Sequence, residues 1–190
     1  PFAGLRILYT GPTDGTSLQR AEGLRALGAE VVHVPSGLVT PQGLAYHLYR
    51  VVNRLRKHPD FFRANRGLVR EARRAPFDLV WVDKGLWLRP ATIARLRKWL
   101  PGARIVAYSP DDMCNPHNQS PRYLASLALY DLHVTTKSYN VAELAELGAR
   151  EVFHVDNGYD PAVHRPLEPT DEERERLGAD VGFVGAYEAD

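Results

Sequence analysis

The sequence predicts an α/β fold built on a doubly wound parallel sheet, and three observations carry that prediction. Short apolar runs recur without alternating polar positions, the pattern of strands buried on both faces. Segments with helical spacing separate these runs, so strand and helix alternate along the chain. A glycine-bearing turn follows the first run and opens a helix, the opening move of a right-handed βαβ unit.

The elements follow in order. Residues 5–9 form the first strand, and Gly11, Pro12, Asp14 and Gly15 make the turn after it. Leu18, Ala21, Leu24 and Leu27 mark a helix that Thr16 or Ser17 can cap and that Gly28 ends in left-handed geometry. Residues 30–34 are the second strand. Between residues 40 and 74 two helices stand where a strand would otherwise be, on the spacing of Leu44, Leu48, Val51, Val52 and Leu55 and then of residues 61–73. Alternation resumes with strand 79–82, helix 90–100, strand 104–109, a long loop, helix 121–129, strand 132–135, helix 139–147 and strand 151–155. Six strands and their helices thus occupy residues 1–158. An extended stretch from His164 to Pro169, a short acidic helix over 170–177 and a new apolar run over 181–184 occupy residues 159–190. That last run looks like the first strand of another sheet, so the sequence is expected to be the N-terminal part of a larger protein.

With 190 residues, 44% of them hydrophobic, the chain can bury one substantial core. Its single cysteine excludes an intrachain disulfide framework and a cysteine-rich zinc cluster. No apolar run approaches the roughly 18 residues of a membrane helix, and a cytoplasmic location is expected. A net charge of +1 conceals a basic segment that begins at Arg50 and ends at Arg74, with nine Lys and Arg against Asp60 and Glu71. The near-neutral total argues against nucleic acid as a partner, and a weak peripheral attraction to an anionic membrane surface is the most this segment implies.

The loops at the strand ends carry the candidate chemistry. The turn of residues 10–17 matches neither a dinucleotide fingerprint nor a phosphate loop, because Gly11 and Gly15 have the wrong spacing and no lysine follows. Asp14 there can accept a proton or a sugar hydroxyl's hydrogen bond. Asp83, Lys84 and Gly85 end the third strand. If the strand order is 2-1-3-4-5-6, Lys84 and Asp14 line one crevice at the switch point. The loop from Ser109 to Ser120 holds Asp111, Asp112 and His117. Two adjacent carboxylates at a strand end can divide the work of base and orienting group, or can cap the loop through Asx turns. The spacing of Asp111, Asp112 and His117 matches no familiar ligand set, so no metal is assigned.

Several stretches together resemble the GT-B glycosyltransferases: the opening unit from Ser17 to Val31, then Thr136-Lys137, Leu144 to Gly148, and Asn157-Gly158-Tyr159-Asp160-Pro161 with His164 to Pro166. Within that class Asp83-Lys84-Gly85, Ser109-Pro110-Asp111-Asp112 and the terminal stretch from Asp180 to Tyr187 are similar to the CgeB-like group, named from spore maturation. The resemblance implies two Rossmann-like domains facing a cleft, with this chain as the N-terminal, acceptor-side half. It implies transfer of a sugar from a nucleotide-sugar donor, as co-substrate and without further cofactor or metal, to a hydroxyl of a sugar, lipid or protein acceptor. Asp111 or Asp112 would be the catalytic base, and Asp14, Lys84 and His117 would meet the acceptor. Gly185 would begin the glycine turn at the donor diphosphate, with the C-terminal domain of the same protein supplying the remaining donor contacts, so the 190 residues alone are expected to be inactive. The competing reading is a non-catalytic ligand-binding or regulatory module on the same sheet.

Overall fold

The computed structural model describes residues 2–37, 47, 51 and 58–182. The elements are β1 (Arg6–Gly11), α1 (Gly15–Ala26), β2 (Glu30–Pro35), α2 (Ala64–Arg74), β3 (Leu79–Asp83), α3 (Pro90–Trp99), β4 (Arg104–Ser109), α4 (Pro121–Leu124), β5 (Leu132–Thr135), α5 (Asn140–Glu146), β6 (Val152–His154) and α6 (Asp171–Leu177). The six strands form one parallel sheet in the order β2-β1-β3-β4-β5-β6. This is the Rossmann-like α/β fold, and its switch point lies between β1 and β3, where the chain turns from building toward one edge to building toward the other.

Alternation along the strands distributes the core. Leu8, Val80 and Ile105 stand side by side in register, each fully buried in one cluster with Leu68 of α2 and with Ile93 and Leu96 of α3. Burying each such side chain contributes roughly 1.5–3 kcal/mol. The next register row, Tyr9, Trp81 and Val106, faces the other way. On that side Tyr9 and Trp81 stack at 6.4 Å and Trp81 and Tyr108 at 5.5 Å, an aromatic band across three strands. Buried rows on both faces are why β1, β3 and β4 read as unbroken apolar runs.

Two local expectations change. α1 is capped by Asp14, with no side-chain hydrogen bond, rather than by Thr16 or Ser17. The Ser17 hydroxyl is instead drawn inward, 3.0 Å from the Tyr9 hydroxyl. The helix expected over 121–129 is broken into α4 and a 3-10 turn, Leu127–Leu129. At the break the Ser126 hydroxyl donates to the Arg122 carbonyl at 2.7 Å, a local bond that competes with helix propagation. Gly28, at φ 99°, does terminate the first helical segment in the left-handed region. The helix read over residues 44–55, including Arg50, falls almost wholly outside the described residues.

The chain divides into two compact units, Pro1–Gly158 and Tyr159–Asp190. The first holds the whole sheet. In the second, α6 opens with a capping box in which the Glu173 amide donates to the Thr170 hydroxyl at 3.2 Å and the Thr170 amide donates to the Glu173 carboxylate at 2.8 Å. Of the run over 181–184, Val181 and Gly182 are described and neither is in a strand, while residues 183–190, with Gly185, lie outside the described residues. No helix among the described residues is long and apolar enough to cross a membrane.

Candidate functional site

The C-terminal ends of β1, β3 and β4 meet at the switch point, and the loops leaving them enclose an open cleft of about 430 Å³. Asp14 enters it from the β1 loop, Arg20 from α1, Asp83 and Lys84 from the end of β3, Trp87 just beyond, and Asp111 from the loop after β4. The parallel sheet produces this convergence, because it puts every strand end on one edge and the strand order leaves a gap between the flanking helices there.

Two ion pairs at this edge differ in kind. Asp83 is 2% exposed at the base of the cleft. Its Oδ2 accepts from Arg20 Nε at 2.9 Å, from Arg20 Nη2 at 2.7 Å and from the Tyr9 hydroxyl at 2.6 Å. The Arg20 guanidinium also lies 4.5 Å from the centre of the Tyr108 ring. Burial alone would weaken Arg20 as a base, but Asp83 outweighs it and keeps the guanidinium charged. Burial and the Asp83 carboxylate push the Tyr9 hydroxyl upward, so it stays a proton donor. Removing one member of a buried pair strands the other charge, at a cost of about 3–5 kcal/mol. Asp83, Arg20 and Tyr9 therefore form the framework of the site.

Lys84 and Asp111 form the second pair, with side-chain exposures of 31% and 40%. An exposed pair is worth only about 0–1 kcal/mol, so both groups are energetically free to exchange each other for a ligand. Lys84 has φ 45°, a left-handed conformation that a non-glycine residue adopts only at a cost. The Asp111 amide donates to Ser109 Oγ at 3.2 Å, and Thr136 Oγ1 donates to the Pro110 carbonyl at 2.9 Å, which ties the loop to the end of β5.

The adjacent carboxylates have separate surroundings. Asp112 does not line the cleft. Its Oδ1 accepts from the amides of Cys114 at 2.9 Å and Asn115 at 3.1 Å and from Asn140 Nδ2 at 2.8 Å. The Asn140 bond, with those amides, holds the Asp112 carboxyl below the usual aspartate range. Asn140 is fully buried at the start of α5 and also fixes the loop by accepting from the Met113 amide at 2.9 Å. His117 is exposed in the 3-10 turn Pro116–Asn118, its amide donating to Asn115 Oδ1 at 3.0 Å, and it does not line the cleft.

Of the residues singled out from sequence, Asp14, Lys84 and Asp111 thus share one cleft, while Asp112 and His117 lie apart from it. Among the described residues Asp112 instead meets Cys114 and Glu143, with ligand-type atoms within 4.8 Å of one another. Asn140 joins this group through protein hydrogen bonds alone, donating to Asp112 and, at 2.9 Å, to Glu143. Arg20, Tyr9 and Asn140 escaped the sequence reading. The one signal for the first two was a carboxylate, Asp83, ending an apolar strand, which demands a partner without saying where it is.

No family model matches the sequence, and no curated protein matches it. Among solved structures the chain is similar to a response regulator protein from Burkholderia pseudomallei with a phosphorylated aspartic acid, calcium ion and citrate, at 14% identity and a TM-score of 0.39, covering 92% of this chain and 73% of that one. It is also similar to an alpha-glucosyltransferase in complex with UDP-glucose and DNA containing an abasic site, at 14% identity and a TM-score of 0.45, where 79% of this chain spans 42% of the other. A putative pilus assembly-related protein from Burkholderia pseudomallei aligns at 16% identity and a TM-score of 0.30, over 79% of this chain and 77% of that one. Identities this low carry no functional assignment.

Proposed function

We propose that the chain is the acceptor-side domain of a GT-B glycosyltransferase of the CgeB-like kind. It would present a hydroxyl of a sugar, lipid or protein acceptor to a nucleotide sugar held mainly by a C-terminal domain. The observation that carries this reading is the open cleft at the switch point, where Asp14, Lys84 and the loosely paired Asp111 converge over a rigid floor. In the proposed step the acceptor oxygen forms a bond to the anomeric carbon as the bond from that carbon to the diphosphate oxygen breaks. The diphosphate leaves with the electron pair, and the hydroxyl proton passes to Asp111. Lys84 orients Asp111, and Asp14 accepts a hydrogen bond from another acceptor hydroxyl. Asp112 is a positioning residue that shapes the loop holding Asp111, because its Oδ1 already has three donors.

The test is the protein as its gene encodes it, offered a panel of nucleotide sugars and scored for nucleoside diphosphate release. Asp111→Asn should lower the rate about 10²–10⁴-fold, the usual worth of a positioned base. Asp112→Asn should act mainly through stability. Parental rates in a folded Asp111→Asn protein would end the assignment. Sugar binding in the cleft without any turnover would favour the non-catalytic module.

A further inference from the structure

A second concavity lies away from the switch-point cleft and shares no lining residue with it. It is a groove of about 720 Å³ between α2 and α3, lined by Arg66, Arg70, Arg73, Arg74, Arg89 and Arg95. The volume falls in the range of ordinary ligand sites, roughly 300–1,000 Å³. Among the described residues Glu71 is the one carboxylate ion-paired to any of these arginines, holding Arg70 at 2.7 Å and Arg74 at 3.5 Å. Arg73 rests over the Trp99 ring at 5.0 Å. Arg66, Arg89 and Arg95 are exposed and have no carboxylate partner among the described residues.

Such a concentration of positive charge opposes folding through mutual repulsion, and salt bridges within the protein relieve only part of it. The walls are fixed nonetheless. Asn65 on α2 accepts from the Arg89 amide at 2.9 Å and from Thr92 Oγ1 at 2.7 Å, and donates to the Trp87 carbonyl at 3.1 Å, so one side chain stitches the two helices together. Guanidinium groups from two rigid walls converge on one hollow, and their planar forks match phosphate oxygens two at a time.

We infer that this groove is a binding site for a compact oligophosphate anion, bearing two or more phosphate groups, free or as a lipid headgroup. A concave hollow suits a discrete anion that enters between the helices, whereas a flat membrane or an extended nucleic-acid strand calls for a continuous convex or linear track of charge.

Sodium tripolyphosphate is the probe, titrated into the protein by calorimetry at low and high salt. Binding should be measurable, should weaken as salt rises, and should raise the thermal midpoint. The double variant Arg66→Gln/Arg95→Gln, made at exposed positions without carboxylate partners, should weaken binding about tenfold or more. Arg66→Lys/Arg95→Lys should fall between, because it keeps charge and loses the fork. Arg150→Gln, remote from the groove, should bind like the parent. Circular dichroism verifies folding in each variant. Vesicles of phosphatidylcholine with a phosphoinositide bisphosphate distinguish the sources: their capture, displaced by tripolyphosphate, assigns a headgroup, and tripolyphosphate binding without capture assigns a free anion. The inference is overturned if tripolyphosphate fails to bind, or if the double glutamine variant binds it undiminished. Retention of phosphatidylglycerol vesicles or single-stranded oligonucleotide that tripolyphosphate cannot displace also overturns it.

Discussion

At single positions, the contrast between Asp83 and Asp111 shows how burial separates structure from chemistry. Both accept from a cation, yet Asp83 is sealed among three donors while Asp111 keeps much of its surface in water. Lys84, next to Asp83 in sequence and paired with Asp111, pays for its place with an unfavourable backbone. Lys84→Ala and Lys84→Gly both remove the cation, but only glycine relieves the left-handed strain. The glycine variant should therefore be the more stable of the two by about 1 kcal/mol, read from its higher denaturant midpoint. Equal midpoints would mean that the backbone at 84 relaxes without help. His133 supplies a pH signature. Burial keeps this imidazole below its usual range, and its Nε2 donates to the Leu127 carbonyl at 3.0 Å, so the neutral form is the folded one. Because the folded value is the lower, the unfolded chain takes up this proton first. The stabilisation is complete above about pH 6.5 and is lost as pH falls toward the folded value. Denaturation midpoints across that interval should decline in the parent and flatten in His133→Gln; an unchanged slope would remove His133 as its source. Asp112 has the same sign at a lower pH, its share being lost below about pH 4.

At the level of elements, the seam between β1 and α1 has almost no spare room. A Cβ placed on Gly11 would collide with the Ser17 hydroxyl and would stand 2.9 Å from the Asp83 Cβ and 3.0 Å from Tyr9 Cε1. Gly11→Ala should therefore force α1 away from the strand ends and destabilise the fold by about 2 kcal/mol, read from thermal unfolding. A neutral result would show that the strand end yields easily. The strands, their parallel arrangement and the glycine that ends the first helical segment were legible because each depends on local pattern. The cap at Asp14 and the break at Ser126 were not, since tertiary contact diverts Ser17 toward Tyr9 and one local hydroxyl bond competes with the helix.

Across the whole molecule, sequence pattern located the cleft by topology, because strand order brings Asp14, Lys84 and Asp111 to one edge. It could not pair Asp83 with Arg20, which stand 63 positions apart, nor separate Asp111 from Asp112, which are neighbours in sequence and face different surroundings. Four of the six groove arginines were visible in a basic run ending at Arg74; Arg89 and Arg95 join them only through the packing of α3 on α2. The environment of Cys114 has a practical outcome. Burial and the nearby Glu143 push this thiol up to about 12, leaving roughly a thousandfold less thiolate than an ordinary cysteine has at neutral pH. A maleimide dye should accordingly pass over the native sulfur and react at an engineered surface thiol. Fluorophores can then be installed at chosen points without first deleting the chain's sole cysteine.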